Sequence, residues 1–217
     1  WSGFRPSDDA CTYHYLVPAN MFAAVVMGYA ERIFTEIVDD AALAARARAL
    51  RESIDGGLRS HGTMTNAAGE TIWAYEVDGL GHALLMDDSN VPSLMAAPYL
   101  GYCAADDPLY LSTRRTLLSA ENPFYYEGAY AKGIGSPHTP PRYVWPIALS
   151  IQGLTSPDKA EKAAILDNLV AIDAGTHLMH EGVCVDDPTQ YTREWFSWSN
   201  MMFCELVMDY FDIRVRH

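Results

Sequence analysis

The chain has 217 residues, with 15 Lys and Arg against 28 Asp and Glu for a formal net charge of −13, and is 49% apolar and 20% charged. That length supports one domain around a single core, and an apolar fraction this high without blocks of like charge excludes a disordered tail. The acidic excess argues against nucleic acid and anionic membrane surfaces as partners, because both bind through clustered cations.

Pro18 opens a helix at its first turn, and Asn20 to Val38 places Phe22, Val25, Val26, Tyr29, Ile33 and Ile37 along one stripe. After Asp39 and Asp40, the Ala-rich run from Ala41 continues as a second helix until Gly56 and Gly57 stop it, making an αα-hairpin. Between His61 and Leu80 the pattern changes to a small β-hairpin around an Asn-Ala-Ala-Gly turn, with TIWAYEV alternating like a strand. Four more helices are predicted at Pro92–Ala104, Pro108–Ala120, Arg142–Leu154 and Pro157–His177, and a seventh at Thr192–Tyr210. Ala120 to Pro141 is a long, aromatic-rich, ordered loop, the kind that carries function. Helices with one local hairpin predict an all-α domain of stacked helix pairs.

Cys11, Cys103, Cys184 and Cys204 stand singly without a CxxC pair, so free thiols in a reducing compartment are expected rather than a zinc knuckle or a disulfide framework. The longest uncharged stretch, Ala10 to Ala30, holds His14, Pro18 and Asn20 and reads as a buried helix, not a membrane span. The chain begins at Trp1 without a basic-then-apolar leader, pointing to a truncated or processed start.

Polar, aromatic-studded segments stand at the helix boundaries: residues 3–22, 86–102, 121–146 and 180–200, each mixing carboxylates with Trp or Tyr. A sugar needs hydrogen-bonding groups for its hydroxyls and an aromatic face for its C–H side, so the pattern suits carbohydrate recognition. The competing reading of any one Asp pair is a helix N-cap.

The strings GFRPSDDACTYHYLVPANMF, YEVDGLGHALLMDDSNVPSLMAAPYLGY, NPFYYEGAYAKGIGSPHTPPRYVWPIAL and MHEGVCVDDPTQYTREWFSWSN resemble the exo-α-1,6-mannosidases of glycoside hydrolase family 125 over nearly the whole chain. The resemblance implies an (α/α)6 toroid and a metal-independent, inverting release of non-reducing-end α-1,6-linked mannose, without cofactor. Gly182, Val183 and Glu194 depart from the family pattern. A closed toroid needs twelve helices and seven are predicted, so residues 1–217 are expected to form the C-terminal part of one catalytic domain, an incomplete barrel with an inserted β-hairpin, that is inactive if isolated.

Carried over residue by residue, the general acid falls on Asp8 in RPSDD and the general base on Glu181 in MHEG. Inversion requires the two carboxyls about 6.5–9.5 Å apart with a water between. Around them the expected sugar contacts are Arg5, Asp9, Asp87, Asp88, Asn90, His138, Thr139, Trp145, His180 and Trp195. The rival readings are an N-cap or an Arg5 partner for Asp9, capping of the Pro92 helix for Asp87 and Asp88, a structural hydrogen bond for His138, and core packing for Trp145, Trp195 and Trp198.

His177, His180 and Glu181 form HLMHE, which is neither HExxH nor HxxEH, so no metal is assigned. No GxSxG or Cys-His motif supports acyl chemistry. The expected partner is a mannose-containing oligosaccharide or N-glycan, the expected location a bacterial cytoplasm, and the oligomeric state is left open. Two alternatives to the mannosidase are another (α/α)6 sugar enzyme such as an epimerase, and a glycan-binding fragment without turnover.

Overall fold

The computed structural model describes residues 1–214. Among them are six α-helices and ten short strands: β1 (Tyr15–Leu16), α1 (Val17–Glu36), α2 (Ala41–His61), β2 (Thr63–Thr65), β3 (Thr71–Trp73), β4 (Glu76–Val77), β5 (Ala83–Leu84), α3 (Pro108–Leu117), β6 (Tyr125–Glu127), β7 (Lys132–Ile134), β8 (Tyr143–Val144), α4 (Pro146–Leu154), α5 (Lys159–Ala171), β9 (Gly182–Cys184), β10 (Asp187–Thr192) and α6 (Ser197–Tyr210). The strands form two three-stranded sheets, β1-β4-β5 and β10-β9-β8, and two hairpins, β2-β3 and β6-β7, all antiparallel. The expectation of an all-α chain with a single hairpin is thereby corrected to a helical fold laced with short strands.

The α1–α2 hairpin forms as the sequence pattern indicates. Asp40 caps α2, its Oδ1 accepting from Ala42 N at 3.0 Å and Leu43 N at 2.9 Å. Glu31 of α1 is ion-paired to both Arg48 and Arg51 of α2. Two details differ. Helix α2 runs through Gly56 and Gly57 because Leu58 beyond them is buried, and it ends where the Gly62 N–H reaches Leu58 O at 2.7 Å. On α1 the buried residues are Val17, Pro18, Met21 and Ala24, whereas Phe22, Val26, Tyr29, Ile33 and Ile37 are exposed. The helix carries two apolar stripes, and periodicity cannot tell which one meets the core.

The expected helix at Pro92–Ala104 is a series of turns, closed by bonds such as Ala96 N to Ser93 O at 3.2 Å and Leu100 N to Ala96 O at 2.9 Å. Pro98 brings no N–H to a helical ladder, and Gly101 takes a φ of +84°, so the segment turns instead of extending. Helix α4 begins at Pro146 rather than Arg142 because Tyr143 and Val144 are spent on β8, and α6 begins at Ser197 because Thr192 closes β10. TIWAYEV splits between β3 and β4 in two different sheets, and all its residues from Ile72 to Val77 are buried.

One apolar core gathers Leu16, Met21, Tyr75, Met86, Leu94, Tyr110, Trp145 and Ile151, and a second gathers Val144, Leu149, Leu169, Val183 and Leu206. The β8–β9 pairing, Val144 opposite Val183, fixes residues 136–145 beside the strand that follows Glu181. Among the described residues no helix is long and apolar enough to cross a membrane.

Candidate active site

The N-terminal turn is built around a buried carboxylate that the sequence does not advertise. Glu76 of β4 is fully buried; its Oε1 accepts from Arg5 Nε at 2.6 Å, and its Oε2 accepts from Thr12 N at 2.8 Å and Tyr13 N at 2.9 Å. Burial pulls the Arg5 pKa down, but the hydrogen bond and charge of Glu76 more than reverse this, leaving it raised. Arg5 N donates to Asp9 O at 2.7 Å and Asp8 N to Arg5 O at 3.0 Å, closing a tight turn. At its apex Asp8 has a φ of +71° and an exposed side chain. A non-glycine residue in the left-handed region is held there by its surroundings, and such positions cluster at functional sites.

Asp88 ties this turn to a second segment. It is buried and accepts a hydrogen bond from the Ser7 hydroxyl; burial raises its pKa, while Ser7, the neighbouring Ser136 and Arg5 oppose the rise. The Asn90 side-chain amide donates to Pro6 O at 3.2 Å, and its buried Oδ1 has no partner among the described residues. The Asp9 carboxylate accepts from Ser7 Oγ at 3.3 Å and lies 3.6 Å from His138 Nδ1, so it neither caps a helix nor pairs with the Arg5 guanidinium.

The segment 136–145 then leads to Glu181. Thr139 Oγ1 accepts from Trp145 Nε1 at 2.9 Å. A Cβ on Gly182 would stand 3.2 Å from Thr139 Cγ2 and 3.3 Å from Trp145 Nε1, so the backbone next to Glu181 lies flush against this segment. Glu181 itself is 6% exposed, donates its backbone N–H to Thr192 O at 3.1 Å, and holds Arg193 Nε 3.1 Å from its Oε1. The structure thus gathers the Asp8–Asp9 turn and the strand after Glu181 against neighbouring residues of one loop, His138 and Thr139.

Several expected sugar contacts have other partners. Asp87 is fully buried and accepts from Leu94 N and Met95 N, both at 2.9 Å, which corrects its reading as a sugar ligand in favour of capping, here of the turns after Pro92. Burial pushes its carboxyl up to about 7, against those backbone bonds and with some help from the charge of Asp88. His180 is corrected likewise. It is buried and stacked on Tyr191 at 3.8 Å, with Nδ1 2.7 Å from Glu194 O and Nε2 facing Asp173 O and Thr176 Oγ1. Trp145 is buried with edge contacts to His138 at 6.2 Å and Phe196 at 6.0 Å, so core packing replaces sugar stacking, and Thr139 supports that indole. Arg5 has its Nε on Glu76 and frames the turn. Trp195 and Trp198 are the opposite case, 65% and 59% exposed among the described residues. In HLMHE, the His177 side chain is exposed beside Asp173 while His180 is buried, so the two histidines face different surroundings. Glu76, Ser7, Ser136 and Arg193 carry no sequence signal, because nothing in local periodicity marks a serine or a strand glutamate as a long-range partner. A cavity of about 800 Å³ lined by Gly28, Arg51, Trp73 and Tyr102 touches neither Asp8 nor Glu181.

Paired carboxyls borne by converging loops beside exposed aromatics on a helical scaffold are the equipment of a carbohydrate-active enzyme. Residues 1–208 match the family model of metal-independent alpha-mannosidases (GH125), and the chain belongs to that family. It is 62% identical to a Streptococcus pneumoniae metal-independent alpha mannosidase solved in a non-productive substrate complex with alpha-1,6-mannobiose, with a TM-score of 0.97 over 99% of this chain and 51% of that one. It is also 44% identical over 209 residues to the meiotically up-regulated gene 157 protein of Schizosaccharomyces pombe, covering 96% of this chain and 41% of that protein. The chain therefore spans about half the length of these relatives.

Proposed function

We propose that residues 1–217 are the C-terminal part of a single (α/α)6 domain of an inverting exo-α-1,6-mannosidase, with Asp8 as general acid and Glu181 as general base. The observation that carries this reading is the convergence of the two acidic segments, 173 positions apart in sequence, on the 136–145 loop: Ser136, through Asp88, and His138, through Asp9, meet the first, and Thr139 meets Gly182 of the second. The exposed apolar residues of α1 and of α6, Tyr29, Ile33, Trp198 and Met201 among them, support a domain that continues beyond these helices.

Asp8 protonates the glycosidic oxygen as the bond to the anomeric carbon breaks. A water attacks that carbon from the opposite face and gives its proton to Glu181, so the mannose leaves as its β-anomer. Asp8 is exposed and free to meet a leaving group, while Asp9, His138 and Trp195 are the accessible groups left to bind sugar hydroxyls and ring faces. Asp88 and Asn90 act from behind, holding the acid's turn on the loop. The substrate class, a non-reducing-end α-1,6-mannoside of an oligosaccharide or N-glycan, follows the ligand of the Streptococcus pneumoniae relative. The four unpaired cysteines fit a reducing location, and we place the protein in a bacterial cytoplasm.

The test is turnover of α-1,6-mannobiose by Asp8→Asn and Glu181→Gln in the protein that carries this chain. Each variant should lose about 10²–10⁴-fold in kcat with its thermal unfolding unchanged. Wild-type rates in either variant retire the assignment.

A further inference from the structure

A general base has two requirements that pull against each other: one carboxylate oxygen must be free to take a proton from water, and the carboxylate must not rotate. Around Glu181 a cation stands against one edge of the carboxylate: Arg193 Nε lies 3.1 Å from Oε1, and among the described residues no hydrogen-bond donor is seated on Oε2. The backbone of this corner is already pinned, with Glu181 N on Thr192 O at 3.1 Å and Gly182 N on Thr192 Oγ1 at 3.1 Å.

Arg193 is itself held in place. It follows the last residue of β10 with a φ of +46°, the left-handed region that a non-glycine residue occupies only under constraint. Its guanidinium carbon stands 5.6 Å from the centroid of the Phe196 ring. Phe196 is fixed in turn by its edge contact with Trp145 and by its N–H on Met179 O at 3.2 Å. An ion pair between two exposed side chains is worth little, but here the carboxylate is buried and only the cation side is open to solvent.

We infer that Arg193 is the positioning residue of the base: it anchors Glu181 Oε1 and turns Oε2 toward the attacking water. This rests on the assignment of Glu181 above. The deciding experiment has two arms. In the first, Arg193→Ala should lower kcat on α-1,6-mannobiose about 10–100-fold while KM stays within about twofold, because a misplaced base costs rate rather than binding. Added guanidinium should restore at least about fivefold of the lost rate, and Arg193→Lys should keep more activity than Arg193→Ala. A collapsed fold would give no rescue. Loss of turnover in Glu181→Gln with full turnover in Arg193→Ala overturns the positioning role alone; full turnover in both removes the base assignment with it.

The second arm is independent of catalysis. In ¹⁵N-arginine spectra, the Nε–H signal assigned to Arg193 by its loss in Arg193→Lys should shift in Glu181→Gln, because the charge 3.1 Å from that nitrogen is removed. A signal indifferent to Glu181→Gln overturns the inference.

Discussion

Replacing Glu76 tests whether the acid's turn is built by a buried carboxylate rather than by its own sequence. Glu76→Gln keeps the size of the side chain but removes the charge, and it sets an amide NH2 against donors from Arg5 Nε or from the Thr12 and Tyr13 backbone. Arg5 is 9% exposed, so its guanidinium is left in a low-dielectric site without its anion. Breaking a buried pair by removing one partner costs roughly 3–5 kcal/mol. The two backbone N–H groups are only partly buried, and water replaces much of what they lose, so the same range holds for the sum. For a chain of this length each kcal/mol moves the midpoint by about 2–4 °C, giving a fall of about 6–20 °C. Thermal unfolding by circular dichroism, with urea titration at 25 °C, measures both figures. Turnover should fall along with stability, because the Asp8 apex loses the pair beneath it. A Glu76→Gln protein within about 1 kcal/mol of wild type would mean that the turn does not depend on this buried charge, since such a value belongs to exposed pairs.

Asp87 should make stability depend on pH. Its folded pKa of about 7 lies above the ordinary 3.8, so the folded state holds the proton more tightly, and the contribution is full below about pH 4 and lost as pH rises through 7. Urea unfolding at pH 4.5 and 7.5 should show wild type losing ground to Asp87→Asn at the higher pH; a constant difference would remove the titration. Gly135→Ala should not yield a native protein, because its Cβ would sit 2.0 Å from Tyr143 O in the backbone that leads into β8. Soluble Gly135→Ala with wild-type spectra and turnover would show that the 136–145 loop is not so placed.

What the sequence discloses is local chemistry in order along the chain: the acidic start of α2 at Asp40, the Asn66–Gly69 turn and the prolines that open α1 and α3 are each read from neighbouring residues. What it withholds is partner choice across distance. Glu76 reads as one polar member of an alternating strand, yet its partners are Arg5, Thr12 and Tyr13, 71, 64 and 63 positions away. Asp87 and Asp88 are adjacent and look equivalent, but successive side chains diverge, one into backbone N–H groups and the other onto Ser7 and Ser136. The second apolar stripe of α1 misleads for the same reason. Asp8 and Glu181, the proposed acid and base, are singled out by family resemblance, since no period or spacing picks them from 28 carboxylates.

If two carboxyls act from opposite faces of one glycosidic bond, the configuration of the first sugar released records it. Proton NMR of α-1,6-mannobiose hydrolysis, followed faster than mutarotation, should show β-mannose appearing before the α-anomer. Initial release of α-mannose would exclude the inverting pair, and epimerised sugar without cleavage would exclude hydrolysis itself.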